Sequence, residues 1–147
     1  MKYKVFTDGS SYTEKNMIGV SYVILTETDF IVSDSTSISG FANPAYAETI
    51  AIGFAARYLN IEMNLTKDDT VIFYTDCVNA IKHVSKYGLC ATNKYYVNKN
   101  KNVEAAIKSI KVLAKNTNVS IQKVHGHKVS LNPNSYVNRL CRITIKE

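Results

Sequence analysis

No stretch of this chain approaches the roughly 18 consecutive apolar residues that a membrane-spanning helix needs. Behind the initial Met1-Lys2-Tyr3-Lys4 there is no apolar core of a secretory leader. These absences exclude a helical membrane protein and point to a soluble, non-exported, cytoplasmic one with no membrane partner. Cysteine is also scarce: Cys77, Cys90 and Cys141 are odd in number, far apart, and form no Cys-x-x-Cys pair. That spacing argues against a disulfide framework and against a zinc site, and for reduced thiols. Repeats, linkers and low-complexity tracts are missing as well, so 147 residues with 46% hydrophobic content read as one domain over residues 1–147, with enough apolar mass for a core. The Lys-, Asn-, Ile- and Tyr-rich composition suits an AT-rich source, bacterial or phage.

What is present is unevenly distributed. The formal net charge is +6, and between Lys82 and Lys115 eight lysines face a single acid, Glu104. Tyr87, Tyr95 and Tyr96 are interleaved with them, a pattern able to follow a phosphate backbone. The alternative for the same lysines is a solvated helix face and loop.

Two apolar strands end in the same pair of residues. In the first, Val5 and Thr7 alternate with Lys4 and Phe6 at period two, deliver Asp8, and are followed by a turn at Gly9-Ser10. In the second, Val71 to Thr75 leads to Asp76. Side by side and parallel, these strands would bring Asp8 and Asp76 out at one sheet edge, where two carboxylates repel unless a cation lies between them.

Between them, residues 18–25 read as a buried strand, 26–29 as a hairpin turn and 30–39 as a third strand, an antiparallel meander closed by Gly40. Asn43-Pro44 has the N-cap and first-position residues of a helix that runs to Leu59. Its Ala47, Ala51, Phe54 and Tyr58 form one apolar stripe, and Glu48, Ile52, Ala55 and Leu59 a second. Glu48 is therefore an acid on a largely buried helix; satisfying the helix dipole is its alternative role. Residues 77–87 read as a helix with Cys77, Ile81 and Val84 inward, 88–102 as a basic, Asn-rich loop, and 103–115 as an amphipathic helix with Ala114 among its inward residues. A strand over 119–124 leads to His125-Gly126-His127, and Asn132-Pro133 introduces a short helix over 135–142. The order predicts an α/β fold: a mixed five-stranded sheet, antiparallel then parallel, with helices on both faces.

These marks together resemble the ribonuclease H type 1 family along essentially the whole chain. They are Thr7-Asp8-Gly9-Ser10, Ala47-Glu48, Tyr74-Thr75-Asp76, Val124-His125-Gly126-His127, then Asn134 and Asn138-Arg139-Leu140-Cys141-Arg142. The resemblance implies a ribonuclease H-like fold and an endoribonuclease that cuts the RNA strand of RNA/DNA hybrids, leaving 3′-hydroxyl and 5′-phosphate ends. It implies two Mg²⁺ ions, about 4 Å apart in such sites, with Mn²⁺ as a substitute. Asp8 would bridge the ions, Glu48 would serve the leaving-group side and Asp76 the side of the attacking water. His127 matches a histidine that assists proton transfer or product departure, a role suited to a near-neutral pKa; His125 reads as a surface histidine. The family's fourth acid falls on Asn138, a neutral oxygen ligand, which implies weaker metal occupancy and slower or more Mg²⁺-demanding cleavage.

For the hybrid, the resemblance implies contacts to 2′-hydroxyls across the minor groove and to phosphates of the DNA strand. Where relatives carry Asn before the helix Glu and Gln after the third acid, this chain has Pro44-Ala45 and Val78, with Asn43 and Asn79 nearby. Lys82, Lys86, Lys94, Tyr95, Lys99 and Lys101 resemble a shortened basic protrusion, and Ser10 and Asn134 complete the residues expected to touch the hybrid. No hybrid-binding module stands ahead of Asp8, so low processivity is expected, and nothing requires more than a monomer. A catalytically weakened nucleic-acid-binding module is the alternative function.

Overall fold

A computed structural model of the protein describes residues 1–40, 43–89 and 96–124, apart from the Thr13 side chain. Lys94, Tyr95, His125, His127, Asn134, Asn138 and the helix expected over 135–142 lie outside the described residues. Five strands form one sheet in the order β3-β2-β1-β4-β5. They are β1 (Lys2–Tyr12), β2 (Met17–Leu25), β3 (Phe30–Ser39), β4 (Thr70–Thr75) and β5 (Asn118–Lys123). The first three pair antiparallel, while β4 pairs parallel with β1 and with β5. The expected mixed sheet is therefore present. No helix among the described residues is long and apolar enough to cross a membrane.

β1 is central, and period-two alternation sorts its side chains. Tyr3 and Val5 join Val20, Tyr22, Ile24, Val71 and Phe73 in one apolar cluster with the helices. On the opposite face Phe6 stacks on its cross-strand partner Tyr74, with ring centroids 4.8 Å apart.

Helix α1 (Pro44–Glu62) begins as its sequence dictates: the Asn43 side chain accepts a hydrogen bond from the Tyr46 amide at 2.8 Å, and Pro44 occupies the first turn. It runs three residues past Leu59. Glu48, Ile52, Ala55 and Leu59 are all buried, so the stripe that carries the acid is turned into the protein. Helix α3 (Lys101–Asn116) packs on α1 so closely that a Cβ on Gly53 would collide with Ala106. Asn60 donates to the Ser109 carbonyl across the same junction at 3.0 Å.

Several boundaries differ from expectation, each for a local reason. Gly9-Ser10 is not a turn: β1 continues to Tyr12, its backbone paired with β2 as far as Met17. The reversal comes later, through a 3-10 turn at Thr13–Lys15 and Asn16 in the left-handed region at φ 51°. Cys77 is the N-cap of α2 (Val78–His83), its Sγ accepting from the Ala80 amide at 3.4 Å. Ala80 consequently faces the core and Ile81 is only half-buried. A π-helical turn follows over Val84–Gly88. α3 starts at Lys101 because the Asn100 side chain accepts from the amides of Asn102 and Val103, which shortens the expected loop. Near its other end Ala114 is half-buried, not inside.

Candidate metal centre

The sheet places two acids where one pairing stops. β1 and β4 run together from Lys2↔Thr70 to Phe6↔Tyr74, and there the parallel ladder ends. β4 finishes at Thr75, which puts Asp76 immediately past it, while β1 carries Asp8 onward beside β2. Asp8 thus lies beside the carboxyl end of β4, not at the end of its own strand. Above this opening passes the start of α1, with Glu48 in its second turn.

The contact between α1 and β1 depends on Gly9. A Cβ there would overlap the Ala47 carbonyl and fall 2.8 Å from the Glu48 amide nitrogen. The missing side chain lets the helix lie directly on the strand and lowers Glu48 toward Asp8.

Asp8, Glu48 and Asp76 each offer a carboxylate oxygen, and these oxygens all lie within 4.8 Å of one another. Asp8 is 4% exposed and Glu48 8%, whereas Asp76 is half-buried. The Thr75 hydroxyl, itself buried, donates to Glu48 Oε2 at 3.4 Å and accepts from the Cys77 amide at 3.3 Å. It ties the acid on α1 to the turn that carries Asp76. Burial pushes the Glu48 carboxyl far above the usual carboxylate range; the charge of Asp8, a hydrogen bond with it, and Asp76 act in the same direction. Without a cation, the cluster stabilises itself by holding a proton on Glu48. The helix-dipole role does not apply: the first turn of α1 has no acid, and Glu48 stands deeper and buried. The donor set is all hard oxygen, two of the three groups are desolvated, and a divalent cation would replace that proton; the residues fit Mg²⁺.

The basic residues are placed less compactly. Asn43, Lys99 and Lys101 line one open cavity of about 750 Å³ between the starts of α1 and α3. Lys82 and Lys86 are exposed, one turn apart, on α2 and the π-helical turn, and Asn79 is exposed on the first turn of α2. Ser10 is half-buried on β1, two residues beyond Asp8. Tyr87 and Tyr96, read from the sequence as interleaved with the lysines, stand with centroids 4.8 Å apart and His83 between α1 and both rings, and Lys86 Nζ lies 5.0 Å over the Tyr87 ring. Sequence reasoning missed Thr75 as a tie to Glu48, although its position at the end of an apolar run, beside Asp76, was a usable signal. It also missed the hydrogen-bonded cluster around His83, whose members are far apart in the chain.

Comparison with known proteins agrees with this geometry. No curated protein sequence matches the chain. Among solved structures, RNase H1 from the halophilic archaeon Halobacterium salinarum NRC-1 is similar at a TM-score of 0.69 and 13% identity, over 99% of this chain and 98% of that one. The N-terminal RNase H domain of a Mycobacterium tuberculosis protein, solved as a fusion with maltose-binding protein, gives 0.67 and 15%, over 99% and 94%. At such identities these likenesses concern the fold. The sequence model of RNase H itself matches residues 1–145, and on that match the chain belongs to the RNase H family.

Proposed function

We propose that this protein is a metal-dependent endoribonuclease that cleaves the RNA strand of RNA/DNA hybrids to 3′-hydroxyl and 5′-phosphate ends. The observation that carries the reading is the convergence of Asp8, Glu48 and Asp76 within 4.8 Å, from residues as far apart as 8 and 76. Asp8, Glu48 and Asp76 would hold two Mg²⁺, or Mn²⁺ in their place. Such ions lower the pKa of a bound water and neutralise charge on the phosphate during in-line displacement. The chain's own contribution is placement: Gly9 seats α1 on β1, and Thr75 orients the Glu48 carboxylate. In this reading His127 takes or gives a proton near the leaving group, and Asn138 supplies a neutral oxygen as a fourth ligand. Ser10, Asn43, Asn79 and Asn134 bind the hybrid's sugars and phosphates; Lys82, Lys86, Lys94, Tyr95, Lys99 and Lys101 add contacts along the DNA strand.

The test is cleavage of an end-labelled hybrid against matched RNA and DNA duplexes across Mg²⁺ and Mn²⁺ concentrations. RNA-strand cutting confined to the hybrid, and lost in Asp8→Asn, is the expected result. One sequence feature favours a second reading: Asn138 removes a charge from the site, as a binding module that has lost catalysis would. Tight hybrid binding with no cutting at any concentration of either ion would establish that module and overturn the nuclease.

A further inference from the structure

The cluster around His83 is not needed to hold the three acids, yet its hydrogen bonds form a directed chain. Thr49, next to Glu48 on α1, donates its hydroxyl hydrogen to the Ala45 carbonyl at 3.1 Å. Toward His83 Nδ1, 3.4 Å away, that hydroxyl can therefore only accept, which makes Nδ1 the protonated nitrogen. At the other end Asn98 Oδ1 accepts from the Asn100 amide at 2.7 Å, which turns its Nδ2 to donate to the Tyr96 hydroxyl oxygen at 2.9 Å. The Tyr96 hydroxyl is left to donate to His83 Nε2, and that contact is 2.7 Å, the shortest side-chain pair in the chain of bonds. Polarity runs one way from Asn98 through Tyr96 and His83 to Thr49, and each bond polarises the next. Burial holds the imidazole below its ordinary pKa, so near neutral pH the ring keeps one donor and one acceptor nitrogen. Tyr46 of α1, Tyr87 of the π-helical turn and Tyr96 enclose the ring, with centroids at 5.9, 5.3 and 5.5 Å.

The two ends of this chain matter for the site. One is the turn of α1 that carries Glu48. The other is Asn98, whose neighbours Lys99 and Lys101 line the cavity with Asn43. We propose that His83 is a positioning residue for substrate binding, its two ring nitrogens bolting the segment with Lys99 and Lys101 to the Glu48-bearing helix at a fixed offset. The inference rests on the hybrid-nuclease reading. It makes His83 set the distance between the phosphate-binding lysines and the cutting site while touching neither substrate nor metal.

Two measurements test it. Long-range ¹H–¹⁵N NMR of the wild-type protein should show His83 as the neutral Nδ1–H form with Nε2 as acceptor; the opposite tautomer, or a doubly protonated ring at pH 7, would overturn the relay. In steady-state hybrid cleavage, Tyr96→Phe and His83→Phe keep the rings and remove the bonds. KM is expected to rise about threefold to tenfold, as the loss of one to two hydrogen bonds would give, with kcat unchanged. Equal KM values in wild type and Tyr96→Phe would sink the proposal even if His83→Phe fails to fold. A fall in kcat with KM intact would also overturn it, since it would place His83 in the chemical step. Absence of cleavage by the wild type would instead refute the nuclease reading, while the tautomer measurement would still decide the relay.

Discussion

Replacing Gly9 by alanine tests how the site is assembled. The backbone at residue 9 is an ordinary strand, since Gly40 is the glycine with positive φ among the described residues, so alanine brings no torsional strain there. By itself, removing a glycine from a strand interior would stabilise by about 0.5–1 kcal/mol. The space decides otherwise: the new Cβ overlaps the Ala47 carbonyl and sits 2.8 Å from the Glu48 amide. Both obstacles are backbone in a well-packed helix, so no flexible side chain can swing aside. Relief requires lifting the start of α1 by on the order of 1 Å, against packing that resists such movement. Overpacking of this kind costs about 1–3 kcal/mol, and the upper end applies because backbone must move. The same lift carries Glu48 away from Asp8 and Asp76, and a misplacement of about 1 Å lowers a catalytic rate by roughly 10²-fold. Urea denaturation with and without Mg²⁺, and cleavage at a temperature where the variant is folded, separate the two effects. Gly9→Ala should lower the unfolding midpoint and raise the half-saturating Mg²⁺ concentration. Wild-type values for both would show that Gly9 does not seat the helix and that its close approach to α1 is not what builds the site.

Glu48 gives a prediction with a definite sign. Its folded-state pKa is raised, so between the ordinary carboxylate pKa of about 4.3 and the raised value the folded protein holds a proton that the unfolded chain releases. In EDTA, stability should therefore fall as pH rises from about 5 to 8, with a slope approaching 1.4 kcal/mol per pH unit, roughly one proton. Glu48→Gln should flatten that slope; an identical slope in the variant would remove Glu48 as its source. Changing Lys82, Lys86, Lys99 and Lys101 to Gln should reduce the salt dependence of hybrid binding, by up to about 0.9 in log–log slope for each phosphate no longer neutralised, measured by anisotropy between roughly 50 and 200 mM salt. An unchanged slope would exclude these lysines from the interface. Gly53→Ala should destabilise by about 1–3 kcal/mol through its collision with Ala106, while leaving the Mg²⁺ requirement of cleavage as it is. Asn138→Asp should lower the half-saturating Mg²⁺ concentration and speed cleavage; an unaltered rate and metal dependence would show that residue 138 does not reach the ions.

Which features were legible in the chain follows from the range of the physics behind them. Alternation at period two marked β1, apolar runs marked β2 and β4, and Asn43-Pro44 marked the start of α1, because these signals act between neighbours. The paired Thr-Asp endings and the buried-stripe position of Glu48 likewise pointed to one acidic cluster without coordinates. Tertiary contact decided the rest. Gly9 reads as a turn in sequence and proves to be a strand residue, because β2 offers continuous pairing to Tyr12 and α1 needs a position without a Cβ. Cys77 caps α2 while packing against the core from the cap position, and Tyr87 and Tyr96 close on His83, a contact that extends to Tyr46 of α1, far away in the chain. The sequence by itself determined which residue types recur at which local spacing. Only the folded chain could decide how closely the three acids approach and how far Glu48 is desolvated beside them, since desolvation and charge repulsion exist only once distant segments are brought together.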